Sequence, residues 1–574
     1  MLRFLQRPLT RVDMPKEAGA AGVSSLSRRE HSQQHVPQTF RVQLLKGVDL
    51  FEVTIEELQR CLTDRLFTSV EFVKFCLQRI HSINPYLEAI IETNPDAVNI
   101  AEGLDEERSQ GKTRGILHGI PVLVKDNIAT KDGMQTTAGS WALLGSTVPR
   151  DAHIVSLLRR AGAVILGHAN MSEWSSVRSS IYSTGYSPRG GQVRNPYDLS
   201  SSPYGSSSGS AVAVSTNIVP LTFGTETDTS IIGPASINGV VGIKPTVGFT
   251  SRNGVIPISE NMDTVGSFGR TVADAVHGLN AIIGIDERDH FTCSSFRQLE
   301  VDFSKCLTTK ESLRGARFGL PNKRCWELVQ EDRKAVASKV FEVIREAGGE
   351  LLATDFPCAE ERIPPDGSWD WAYGKPSESE FTVVKVDAYN GINAYLSELS
   401  DTCIKSVEDI VQYNENNSGT EGAYPGDHQA FPSGQDNLRE ICNSRGKRDE
   451  TYLQALEYTQ TKSRAEGIDA ALRYTASDGQ ETQFDALLLC DRKGPGQQIA
   501  AQAGYPIISV PIGVDGAGFP FSLSIQHTAW KEDVLIKWAS AIEDLVHGMY
   551  GWRPIPTYRN HMSKNIPIAR KATG

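Results

Sequence analysis

The amino-acid sequence predicts an α/β protein in which a mixed or parallel sheet is covered by helices. Three observations carry that expectation. Short apolar runs alternate with helical patterns from residue 116 onward, two early helix starts carry reciprocal capping signals, and no linker interrupts residues 116–545.

Thr54 and Thr68 each precede a glutamate by three positions (Glu57, Glu71), the spacing at which a hydroxyl and a carboxylate satisfy each other's backbone N–H groups. Val70, Phe72, Val73, Cys76, Leu77 and Ile80 then form a helical stripe. Strands are expected at Ile120–Val124, Val164–Gly167, Val219–Phe223, Arg317–Leu320 and Ile507–Pro511, with helices at Ala152–Ala161 and from Ala211 to Thr216. The more polar, helical stretch 365–455 reads as an insertion that frames a binding cleft. Residues 1–45 read as a poorly ordered N-terminal extension, 46–560 as one catalytic domain, and 561–574 as a C-terminal tail.

Composition narrows the class of protein. A chain of 574 residues suggests two or three domains by length alone, but the unbroken 116–545 pattern argues for one. With 39% apolar and 22% charged residues, the chain belongs with globular proteins rather than disordered ones. The formal net charge is −11 and no cluster of Lys and Arg occurs, which disfavours a nucleic-acid partner. Nine scattered cysteines lack metal-ligand spacing and fit a reducing compartment, with Cys76 and Cys490 expected to be free and buried. No apolar run is long enough for a membrane span, and the expected compartment is the cytoplasm.

Three segments draw attention to chemistry. In His118-Gly-Ile-Pro-Val-Leu-Val-Lys125, a lysine follows directly on an apolar strand, where an ammonium is expensive to bury; a lysine snorkelling to solvent would explain it equally well. Tyr204-Gly-Ser-Ser-Ser-Gly-Ser-Ala211 resembles a linker in composition, but it runs straight into a small-residue segment suited to burial. Gly224-Thr-Glu-Thr-Asp-Thr-Ser230 places polar residues between apolar runs, as a tight loop at a strand end would.

Together and in this order, the segments resemble the amidase-signature family. The resemblance covers about Thr54 to Asp544, through the Gly/Ser core, the nucleophile loop, Gly242-Ile-Lys-Pro-Thr246, Gly167-His-Ala-Asn-Met-Ser-Glu-Trp174 and Ala503-Gly-Tyr-Pro-Ile-Ile-Ser-Val-Pro511. Ser206 precedes Ser230 by 24 positions, the family's own separation. The Thr225-Glu-Thr-Asp228 wording is most similar to the subgroup of peptide amidases and fungal stand-alone amidases. The resemblance implies an amidase-signature fold, a central mixed sheet covered by helices on both faces.

It also implies the chemistry. Ser230 would be the nucleophile, Ser206 its proton shuttle and neutral Lys125 the base, with the substrate held by Ser206 and by the backbone N–H groups of Thr227, Asp228, Thr229 and Ser230. Holding an ordinary lysine neutral at pH 7 costs roughly 4–5 kcal/mol, a cost that burial lowers. His118 and His168 are the closest histidines in sequence and neither adjoins Ser206 or Ser230, so a Ser-His-Asp reading fails on motif grounds. The implied reaction converts a carboxamide to an acid and ammonia or an amine through an acyl-serine. It needs no metal or organic cofactor, and its partner is a small-molecule amide, with the chain a monomer or homodimer.

Thr229 departs from the family pattern, which has glycine before the nucleophile. The expectation is that the loop keeps its oxyanion-binding shape with Thr229 in an allowed conformation. Two other functions stay open on sequence: a catalytically silent homologue acting as a binding protein, and an amidotransferase-like subunit. The acyl pocket is expected to draw on 365–455 and on Met171–Trp174, whose side chains do not name a substrate.

Overall fold

Both capping boxes form. In a computed structural model describing residues 33, 35–294, 302–475, 479–491, 495–551 and 553–562, Thr54 and Thr68 accept the N–H groups of Glu57 and Glu71, whose carboxylates return the bond. They open α1 (Ile55–Thr63) and α2 (Ser69–Leu87). Of the expected N-terminal extension, residues 1–32 and 34 lie outside the described residues, as do 563–574 of the expected tail. Phe40, within the expected extension, is buried and stacks on Tyr558 with ring centroids 4.1 Å apart.

The central sheet comprises eleven strands among the described residues: β1 (Ile90–Thr93), β2 (Pro121–Lys125), β3 (Val164–Ala169), β4 (Leu221–Glu226), β5 (Val241–Lys244), β6 (Thr264–Gly269), β7 (Arg317–Pro321), β8 (Glu350–Thr354), β9 (Ala486–Asp491), β10 (Ile507–Val514) and β11 (Pro520–Gln526). Their spatial order is β8-β7-β9-β11-β10-β5-β6-β4-β2-β3-β1. The sheet is mixed: β2 runs parallel to both β3 and β4, β7 runs parallel to β8 and β9, and the remaining pairs are antiparallel.

Helices cover both faces, and β9 makes this visible. Ala486, Leu488 and Cys490 pack into one core with Ile542 and Leu545 of the helix Glu532–Tyr550, while Leu487 and Leu489 pack into another with Ile232 and Ile499. A strand buried on both sides reads as a continuous apolar run, which is why Ala486-Leu-Leu-Leu shows no alternation. The 380–463 region is helical, with its longest helix at Glu380–Glu398. Among the described residues no helix is long and apolar enough to cross a membrane.

Candidate active site

β2 and the two strands beside it place the lysine. Parallel neighbours bury all five residues of β2, and Lys125 forms its last rung, paired with Ala169. Lys125 therefore lies inside the strand rather than after it, because pairing with β3 continues past Val124. No part of it reaches solvent. Its Nζ is 2.7 Å from Ser206 Oγ, 2.8 Å from Thr225 Oγ1 and 3.2 Å from the Thr225 carbonyl. Burial pulls Lys125 down to about 7, against the opposing influence of Asp263 and Glu226. A neutral amine has two N–H donors and one lone pair, so in that form one of the two hydroxyls, of Ser206 or Thr225, donates to Nζ instead of accepting from it.

The Gly/Ser run is structural as well as chemical. A helix begins within it, at Ser208–Ser215, three residues earlier than the apolar pattern indicates, and every residue of that helix is buried. Its hydroxyls tie it to β4: Ser210 Oγ donates to the Phe223 carbonyl, while Thr222 Oγ1 donates to that of Ser210. Ser207 Oγ donates to the Thr225 carbonyl at 2.9 Å. Gly209 is needed for a close approach, since a Cβ there would come within 2.2 Å of the Ala89 carbonyl oxygen. The Gly205–Ser206 peptide bond is cis.

β4 ends at Glu226, and the loop Thr227–Ser230 leads to the short helix Ile232–Ile237. The buried Glu226 carboxylate anchors this turn by accepting the N–H groups of Ile231 at 2.5 Å and Ile232 at 3.0 Å. Thr227 Oγ1 donates to Asp263 Oδ1 at 2.6 Å, while Asp263 Oδ2 accepts from the backbones of Ile258 and Ser259. Among the described residues no hydrogen bond occupies the N–H groups of Thr227, Asp228 or Ser230, whereas that of Thr229 helps to stabilise the Glu226 carboxylate. Ser230 Oγ lies 3.5 Å from the Asp228 carbonyl, and the described contacts include no hydrogen bond between the Ser206 and Ser230 hydroxyls.

Thr229 corrects the sequence expectation. Its φ is +55°, in the left-handed region, where a β-branched residue is an outlier and the strain is of order 1–3 kcal/mol. The loop imposes this shape: Gly233 N donates to the Thr229 carbonyl at 2.9 Å, and the Tyr204 hydroxyl lies 3.3 Å from Thr229 Oγ1.

Ser230 opens onto a narrow cavity of about 30 Å³, bordered by Thr227, Asp228 and Thr229 and walled by Tyr182, Tyr204, Trp369 and Trp371. Ser206 does not border it, although Gly205 does. Met171–Trp174 do not line the cavity; Ser175 and Ser176 do, because the Trp174 side chain turns fully into the core. A larger cleft of about 350 Å³ reaches Asp263 but neither Ser206 nor Ser230.

Sequence reading missed Thr225 and Asn127, whose side chains meet at 3.0 Å around the lysine, although Thr225 sits inside a segment already singled out and Asn127 follows Lys125 by two residues. Trp369 and Trp371 lie in the 365–455 stretch expected to supply the pocket, whereas Asp263 had no such signal.

Comparison with known proteins follows the same residues. Residues 71–419 match the Amidase family. A Schizosaccharomyces pombe (strain 972) protein named as an amidase is 48% identical over 526 residues, covering 91% of this chain and 89% of that protein. The structure of native peptide amidase from Stenotrophomonas maltophilia superimposes with a TM-score of 0.77 at 36% identity, over 88% of this chain and 98% of that one. An amidase family protein from Bacillus anthracis str. Ames gives a TM-score of 0.76 at 30% identity, over 92% of this chain and 97% of that one.

Proposed function

The chain belongs to the amidase family, and from that premise we propose that it hydrolyses a carboxamide through an acyl enzyme on Ser230, with Ser206 and Lys125 moving the proton. Hydrolysis of an amide carbon–nitrogen bond is the reaction of the family. The Lys-Ser-Ser relay is what the family resemblance implies, carried onto Lys125, Ser206 and Ser230 of this chain.

The observation that carries the inference is the Lys125–Ser206 contact at 2.7 Å in a fully buried setting. With Lys125 neutral, its lone pair takes the Ser206 proton as Ser206 takes that of Ser230. Ser230 Oγ then bonds to the carbonyl carbon, and the carbonyl oxygen becomes an oxyanion. The unoccupied N–H groups of Thr227, Asp228 and Ser230 are available to it. Collapse breaks the carbon–nitrogen bond, and the nitrogen leaves with the relayed proton. Water repeats the sequence on the ester and releases the acid. For the first transfer Ser230 must turn its hydroxyl from the Asp228 carbonyl toward Ser206, an adjustment in keeping with the loose hydrogen bonds of catalytic groups before substrate binds.

The test is covalent labelling. A fluorophosphonate should add to the protein once, and peptide mapping should place the adduct on Ser230. An adduct on Ser207 or Ser208, or ammonia release that survives Ser230→Ala, would reject the assignment.

A further inference from the structure

The relay proposed above needs one of two hydrogen-bond arrangements around Lys125. A neutral amine offers two N–H donors and one lone pair to three neighbours: Ser206 Oγ at 2.7 Å, Thr225 Oγ1 at 2.8 Å and the Thr225 carbonyl at 3.2 Å. The carbonyl can only accept, so it takes one N–H. The second N–H and the lone pair are divided between the two hydroxyls. Where Thr225 donates to the lone pair, Ser206 is left accepting and cannot pass its proton to the lysine. Where Thr225 accepts the N–H, the lone pair faces the Ser206 proton and the relay can begin.

The direction of the Thr225 proton therefore decides. Besides Nζ, the described side-chain hydrogen bonds of Thr225 Oγ1 reach one other group, the carboxamide of Asn127 at 3.0 Å. Asn127 lies in the turn that follows β2, its main-chain carbonyl accepts the Ile256 N–H at 2.9 Å, and the residue is 2% exposed. As placed, Nδ2 faces Thr225 and the buried Oδ1 has no partner. A half-turn of the carboxamide keeps its outline and brings Oδ1 to the Thr225 hydroxyl. Each orientation leaves one end of the carboxamide unpartnered, so the number of hydrogen bonds does not separate them. Only the second draws the Thr225 proton away from the lysine. It also suits the ammonium formed by the transfer, whose three N–H groups fill Ser206 and both Thr225 oxygens and leave the Thr225 proton to Oδ1.

We propose that Asn127 is a positioning residue for the proton relay: its Oδ1 accepts the Thr225 hydroxyl proton and so leaves the Lys125 lone pair to Ser206. The inference rests on the Lys-Ser-Ser reading above and adds the group that gives the relay its direction.

The test combines pH profiles with a double-mutant cycle, read as ammonia release from the best substrate among benzamide, hexanamide and N-acetylphenylalaninamide. Asn127→Ala should lower the plateau kcat by at least about tenfold with little change in KM, because the Thr225 proton then occupies the lone pair. The midpoint of the profile should also move to lower pH, since the lysine cation loses the arrangement that satisfies the Thr225 proton. A role in packing alone would admit water around Lys125 and move the midpoint upward. Thr225→Val removes the competing proton and should cost less than about tenfold in kcat. In that background Asn127→Ala should change kcat by less than about threefold. An unchanged plateau in Asn127→Ala, a midpoint that stays or rises, or an effect that persists undiminished without the Thr225 hydroxyl would each overturn the inference. Should Asn127→Ala not fold, Thr225→Val decides alone, because a loss of more than about tenfold would make the hydroxyl a requirement and not a competitor. Activity that survives Lys125→Ala would reject the relay itself, whereas activity lost in Lys125→Ala but untouched in Asn127→Ala would reject only the role of Asn127.

Discussion

Lys125 Nζ lies 2.7 Å from Ser206 Oγ, and neither residue is more than 1% exposed. The contact joins the end of a central strand to a turn 81 residues further along the chain. It brings an amine and a hydroxyl together out of reach of water.

The first prediction follows from burial of Lys125. Burial disfavours the ammonium, and only the neutral amine can accept a proton, so activity should rise with pH through about 7 and level off above it. At lower pH Lys125 is protonated and the relay stops. Lys125→Ala should lower kcat by several orders of magnitude. A flat profile between pH 5.5 and 8.5, or a Lys125→Ala variant of near wild-type activity, would remove the lysine from the mechanism.

Asp263 tunes that profile. Its carboxyl, raised by burial to about 6, is charged where the enzyme should work, and it favours the Lys125 cation. Asp263→Asn withdraws the negative charge, so Lys125 should lose its proton at a lower pH and the rise in activity should move with it. The variant also weakens the brace on Thr227, so kcat should fall. Paired pH profiles decide the matter; a midpoint that stays fixed or moves upward contradicts the assigned influence.

Thr229→Gly separates shape from strain. Both residues present the same N–H, and glycine adopts φ near +55° without penalty. We expect kcat to change by less than about tenfold, roughly 1.4 kcal/mol of activation free energy. Stability should stay constant or rise by up to about 2 kcal/mol, because the relieved strain offsets or outweighs the destabilising entropy that glycine adds to the unfolded chain. If the native protein is inert and the glycine variant active, the chain is a silent homologue with a deformed loop.

Gly209→Ala tests the packing beneath the site. The added methyl meets backbone at 2.2 Å, which cannot move aside as a side-chain tip can. A loss of about 1–3 kcal/mol is expected in urea unfolding. Gly419→Ala, with open space around the new Cβ, serves as the control and should stay within about 0.5 kcal/mol. Equal effects would mean that Gly209 is not an obligatory point of close approach.

The sequence by itself determined the locally encoded parts. Each capping box is an exchange between residues three apart, and five of the eleven sheet strands announce themselves by short apolar runs, so these could be read within a few residues. Lys125, Ser206 and Ser230 were legible for a different reason: their order and spacing resemble a family pattern. Only the tertiary structure decided what those residues do to one another. The strand order β8-β7-β9-β11-β10-β5-β6-β4-β2-β3-β1 depends on pairings between distant segments, which no short window contains. The boundaries of β2 and of the Ser208–Ser215 helix moved because partners elsewhere, Ala169 and β4, complete their hydrogen bonds. Thr229 takes its left-handed backbone from the turn around it, against its own preference. The lowered pKa of Lys125 arises from removal of water by residues far apart in the chain. Desolvation belongs to the assembled fold and to no single stretch of sequence, so the charge state of the site could be read only once the chain had closed around it.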